Sequence, residues 1–216
     1  MYRFLASCAA LSMLGAAGAA PAAVTVTSTP YGAFTAPAQG VVIDFDRPLP
    51  AGFTLTGGAV RSADDALGAQ PAVAPGVKGK SNYWSVNAGN PGTLLSQTGY
   101  RSVSFLWGSM DTYNTLKLLN ADGSVLSQWT GGQVHQPSDG DQLDASTNRR
   151  VTFTSDAAPI FGLRLESAQP AFEIDDVAFA QAVPEPATWG TMLLGFFGLG
   201  VMLRRRPAYA ARIRFA

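Results

Sequence analysis

Short runs of alternating apolar and polar residues, broken by glycine, proline, asparagine and aspartate, fill the middle of the 216-residue chain. In Val41–Asp46 the residues Val41, Ile43 and Phe45 fall on one face of an extended strand, and Asp44 and Asp46 fall on the other. Val103, Phe105 and Trp107 repeat the device. Thr115–Leu119 and Ser124–Trp129 flank Asn120-Ala121-Asp122-Gly123, which reads as a hairpin whose Asp-Gly supplies the positive φ of the turn. Further strands are predicted at Val151–Phe153 and Phe161–Leu165, and weaker ones at Val24–Thr27, Ala59–Arg61 and Tyr83–Val86. Loops rich in proline and glycine are expected at 70–80 and 133–148. Helical periodicity is nearly absent from this region, which predicts one all-β domain over 24–182, a jelly-roll-like antiparallel β-sandwich.

Ala171–Ala180 needs its own argument. Phe172 and Ile174 share one face, but strict alternation puts Val177 and Phe179 on the other. One reading absorbs an extra residue at Asp175 or Asp176 in a β-bulge. The other makes this a central strand buried on both faces, at the cost of burying an aspartate.

The two ends read differently. Met1–Ala23 has Arg3 as its only charged side chain, then an apolar run and a small-residue end, the layout of a secretory signal peptide with cleavage after Ala22 or Ala23. At the other end, 187–203 holds 17 uncharged residues, about 25 Å of helix at roughly 1.5 Å per residue. That length is at the short edge of a bilayer span. Arg204, Arg205 and Arg206 follow as a positive flank that resists translocation, and 207–216 forms a short basic tail. A transmembrane helix over 187–203 is therefore expected.

Charge and cysteine content narrow the function classes. Arg3, the five arginines from Arg204 onward and Glu185 lie outside the body. Of 15 basic and 15 acidic residues the body 24–183 thus keeps nine and fourteen, a formal net charge of −5, which argues against nucleic acid as a partner. The single cysteine, Cys8, lies in the signal segment, so the mature chain offers no disulfide, thiol nucleophile or thiolate metal site.

Within the body two constellations merit attention. Asp44 and Asp46 near its start, with Glu173, Asp175 and Asp176 near its end, are hard oxygen ligands that could form a calcium cage if first and last strands are neighbours. The same residues also read as solvent-facing positions or as partners of Arg47 and Arg164. Leu106–Thr115 turns at Gly108 and gathers Asp111, Tyr113 and Asn114 into a polar loop suited to a ligand. No catalytic motif occurs: the lone His135 sits in a Gly-Gly-Gln-Val-His-Gln-Pro loop, and there is no nucleophile elbow, zinc helix or phosphate loop. A non-enzymatic protein is expected.

Pro184-Glu185-Pro186-Ala187-Thr188-Trp189, followed by the apolar run and the arginines, resembles the PEP-CTERM sorting signal in its PEPxxWA form, with Gly190 in place of the usual alanine. The resemblance covers 183–206 and makes Pro184, Glu185, Pro186, Trp189, Arg204, Arg205 and Arg206 the motif residues. It implies export by the general secretory machinery in a Gram-negative bacterium and transient anchoring in the inner membrane. An exosortase, a membrane-embedded cysteine transpeptidase, would then cut near Pro-Glu-Pro, leaving the body at the cell surface or outside the cell. The body, over roughly 40–180, is similar to a family of exosortase-dependent surface proteins through its aspartate-flanked opening strand, its LWGSMDTYNT loop and its FEIDD close. What these resemblances imply is a surface or biofilm-matrix protein. The alternative is a carbohydrate-binding module for matrix polysaccharide, stacking sugars on Tyr83, Trp84, Tyr113 or Trp129. A persistent tail anchor is the third reading.

Overall fold

The computed structural model describes residues 24–32, 34–156, 158–181 and 186–204. The expected signal peptide, the tail 207–216 and the motif residues Pro184, Glu185, Arg205 and Arg206 lie outside them. In chain order the strands are β1 (Val24–Pro30), β2 (Gly40–Ile43), β3 (Phe53–Thr56), β4 (Ala59–Arg61), β5 (Ala72–Ala74), β6 (Val77–Lys78) and β7 (Tyr83–Val86). There follow β8 (Gly92–Tyr100), β9 (Ser102–Gly108), β10 (Asn114–Leu119), β11 (Val125–Thr130), the one-turn helix α1 (Gly131–Val134), β12 (Arg149–Ser155), β13 (Ile160–Ser167), β14 (Phe172–Ala180) and helix α2 (Pro186–Arg204).

Two antiparallel sheets carry the body. The larger runs β1-β12-β9-β14-β7-β4, with β2 also on β14, and the second runs β11-β10-β13-β8-β3. Their facing side chains, among them Phe53, Trp84, Leu94, Phe105, Trp107, Leu116, Leu163 and Phe172, form one core, as two half-apolar sheets must. Trp107 and Phe172, from neighbouring strands, stack with ring centroids 4.3 Å apart and planes 13° from parallel. The antiparallel β-sandwich is therefore present, and the hairpin of β10 and β11 turns as expected at Gly123, whose φ is +80°.

β14 is the hub. One edge pairs with β9 along its length, while the other pairs first with β7 through Phe172–Ile174 and then with β2 through Val177–Ala180. The register slips between Asp175 and Ala178, and Asp176 takes φ +49°. This is the bulge, and it sends Phe172, Ile174, Val177 and Phe179 all into the core. The second reading holds as well: residues 63–81 cross the outer face of the sheet, so Glu173 and Asp175 are only 2% and 4% exposed.

Three elements differ from expectation. The region 70–80 is not plain loop but contains the small β5–β6 hairpin, turned at Gly76 with φ +70°. β8 carries no clean alternation in sequence, because Leu94 faces the core while the adjacent Leu95 is half-buried on the other side of the strand. At the C-terminus α2 forms over 19 residues, but among the described residues no helix is long and apolar enough to cross a membrane. The expected span 187–203 is corrected on this point: four glycines, Trp189 and Thr191 dilute its apolar content, and the helix ends on Arg204. Its side chains Leu194 and Phe197 are each 73% exposed.

Candidate functional site

Gly108 ends β9 against Pro71, where a Cβ would fall 2.8 Å from the proline ring, so the crossing segment lies flat on the strand only because this residue is glycine. Ser109 follows with φ +36°, turning the chain so that its hydroxyl donates to Glu173 Oε2 at 2.9 Å. Met110 drops into the core, and Asp111 forms an isolated bridge with Asp139. Asn148 then locks the assembly. Its Oδ1 accepts from the amides of Ala72 at 2.8 Å and Ser109 at 3.3 Å, and its Nδ2 donates to the carbonyls of Asp141 and Asp144, both at 3.0 Å.

These segments enclose a small polar pocket of about 110 Å³, walled by Ser109, Asp111, Tyr113, Gln142 and Glu173, with Pro170 at its edge. The Tyr113 hydroxyl reaches both the Pro170 carbonyl, 3.2 Å away, and the Asp111 carboxylate. Burial pushes the Asp111 carboxyl up; the bond from Tyr113 opposes the shift and nearby Asp139 adds to it. Burial also raises Glu173, to about 7, against the pull of the Ala69 amide and the Ser109 hydroxyl. The Tyr113 phenol is raised by burial and by its bond to Asp111.

Asp111 and Tyr113 thus meet in the pocket as the sequence suggested, but Asn114 does not join them. It is fully buried at the start of β10, donating to the Ala171 carbonyl at 3.3 Å and accepting from the Ser167 hydroxyl at 2.9 Å. Asn114 pins the loop rather than facing a ligand. Glu173, by contrast, belongs to the pocket and not to the cluster in which it was placed.

The calcium cage is corrected by the same geometry. β2 and β14 are neighbours, as the idea required, yet each carboxylate already has its own partner. Asp44 pairs with Arg47, at 2.8 Å from Nε and 2.6 Å from its terminal nitrogen. Asp46 accepts from the Asn82 amide at 2.8 Å. Glu173 accepts from the Ala69 amide at 3.0 Å, Asp175 from the Ser81 hydroxyl at 2.5 Å, and Asp176 faces Arg150 at 3.6 Å. Among the described residues no group of three or more histidine, cysteine, aspartate or glutamate side chains could hold a metal ion. Arg164 serves Glu166 at 2.7 Å and none of these aspartates.

The stacking platforms fare similarly. Tyr83 and Trp84 are fully buried, their polar atoms spent on the Ala63 and Gly57 carbonyls. Trp129 packs on Phe153 with centroids 5.9 Å apart, which leaves Tyr113 as the half-buried ring beside a cavity. His135 caps α1 through its backbone, donating to the Gly131 carbonyl at 3.0 Å; burial and the charge of Arg149 lower its pKa. Asn148, Ser109 and Ser81 went unnoticed in sequence, because a buried asparagine that bridges four backbone groups looks like any loop asparagine until its neighbours are known.

At the C-terminus, β14 ends at Ala180 and α2 starts at Pro186, proline being favoured at a first helical position because its missing N–H is unpaired there anyway. Pro186 and Trp189 therefore lie on the first turn of α2 and Arg204 on its last. Residues 182–206 match the family described as the PEP-CTERM protein-sorting motif. The chain carries an exosortase sorting signal. The match spans the signal and does not extend over the sandwich. No curated protein matches the chain. The motif makes this an exported, exosortase-sorted protein of the Gram-negative type, with the exosortase as its processing partner.

Proposed function

We propose that the β-sandwich is the cargo and the C-terminal segment its removable address: a non-enzymatic structural protein of the cell surface or extracellular matrix. The carrying observation is the sorting motif at 182–206, placed directly after the last strand of a closed domain. Three features support the rest. The body is acidic, as suits an exported soluble domain. Its most shielded carboxylates, Glu173 and Asp175, are occupied in holding residues 63–81 onto the sheet, which favours a structural role over acid–base chemistry. Among the described residues β1 pairs with β12 over Val24–Pro30, a pairing that lies entirely after both expected cleavage points, Ala22 and Ala23.

In this reading the secretory machinery carries the chain across the inner membrane, and the exosortase cuts near Pro184. Intact mass of the protein recovered from membrane and medium fractions of its own cells tests this. The expected species begins at Ala23 or Val24 and ends near Pro184. A membrane-bound species ending at Ala216 would overturn processing and make the chain a tail-anchored protein.

A further inference from the structure

The pocket bounded by Ser109, Asp111, Tyr113, Gln142 and Glu173 plays no part in sorting, and its walls restrict what it can take. An anion is opposed by Asp65, Asp111 and Glu173. A metal ion is opposed by prior occupation: Glu173 holds the Ala69 amide and the Ser109 hydroxyl, and Asp65 is ion-paired with Arg61 at 2.5 Å. An apolar group would strand the polar wall atoms without partners. A neutral polyhydroxyl group fits, since its hydroxyls donate to carboxylates and accept from hydroxyls and amides.

Two features make the pocket receptive. Gly140, with φ +77°, lies against the Asp111 carboxylate so closely that a Cβ there would fall 2.5 Å from Oδ1; only glycine leaves that face of Asp111 uncovered. The Tyr113 hydroxyl lies beside that carboxylate, and the pocket lining is almost wholly polar, which matches the hydroxyl edge of a sugar ring rather than its C–H face. At about 110 Å³ the space admits the edge of one ring rather than a chain.

We propose that this pocket binds the hydroxyl edge of a single neutral sugar residue at the end of a glycan, with the Asp111 carboxylate as hydroxyl acceptor and the Tyr113 hydroxyl as the second polar contact. The assignment rests on the pocket alone, so its failure leaves the sorting reading intact, and the mass measurement leaves this one untouched. Saturation-transfer NMR on the full chain in detergent micelles, with glucose, galactose, mannose, N-acetylglucosamine and rhamnose as probes at millimolar concentration, tests it. At least one sugar receives saturation, and Asp111→Asn and Tyr113→Phe, both keeping the wild-type melting temperature, weaken that binding by about tenfold. Absence of transfer to all five sugars, or transfer unchanged in both folded variants, overturns it.

Discussion

Glu173 Oε1 accepts the amide hydrogen of Ala69 at 3.0 Å, tying the last strand to a residue 104 positions earlier in the chain. Two residues on, Asp175 accepts from Ser81 in the same way. Side by side on the outer face of β14, the two carboxylates clamp both ends of the segment that crosses the sheet, and that coverage is what buries them.

Their burial gives stability a pH dependence. Burial raises both Glu173 and Asp175 to about 7, far above their values in an unfolded chain. The folded state therefore binds more protons than the unfolded state between roughly pH 4 and pH 8, and stability falls across that window as pH rises through 7. The loss is on the order of 3 kcal/mol for each group at full ionisation. Asp44, Asp64 and Glu166 are lowered and act oppositely, losing stability as pH falls below their ordinary range. The melting temperature should peak near pH 5, and Glu173→Gln should flatten its alkaline arm. A melting curve as stable at pH 8 as at pH 5 would contradict this.

Asn148→Ala removes an acceptor from two buried amides and a donor from two carbonyls in part-buried bonds. The expected cost is about 2–4 kcal/mol in urea unfolding, set by the polar groups left unpaired. Asn148→Asp keeps the acceptor but sets a buried carboxylate oxygen against the Asp141 and Asp144 carbonyls, and should cost at least as much as Ala.

Asp176 sits at the bulge with φ +49°, where a β-branched side chain is strained. Asp176→Val is expected to cost roughly 2 kcal/mol by adding that strain to the loss of a partner for Arg150. Asp176→Gly relieves the backbone as it breaks the pair and should stay within about 1 kcal/mol of wild type. Paired chemical denaturation curves separate the two effects.

Since every carboxylate of the supposed cage has a protein partner, the melting temperature of the domain should be the same in EGTA and in millimolar calcium. Stabilisation by calcium of several degrees would mean that these partners are displaced on binding.

Much of the strand plan was legible because period-2 alternation is a local consequence of having one face in a core. Val103, Phe105 and Trp107 show it, and so does the hairpin at Gly123. β8 was not legible, because Leu94 and Leu95 are adjacent and only packing tells which one faces inward. Side-chain partnerships were less visible still. Asp44, Asp46, Glu173, Asp175 and Asp176 look alike along the chain, yet one pairs with an arginine three residues away, another holds an amide 104 residues away, and no two share a ligand.

By itself the sequence determined the address and the fold class: a contiguous motif is read by its processing enzyme as a linear string, and alternation is written residue by residue. Tertiary structure decided how the carboxylates are used. Whether a carboxylate faces water, an amide or a cavity depends on which distant segment crosses over it. Residues 63–81, laid across β14, turned an apparent metal site into a clamp and left Asp111 and Tyr113 at the edge of a pocket.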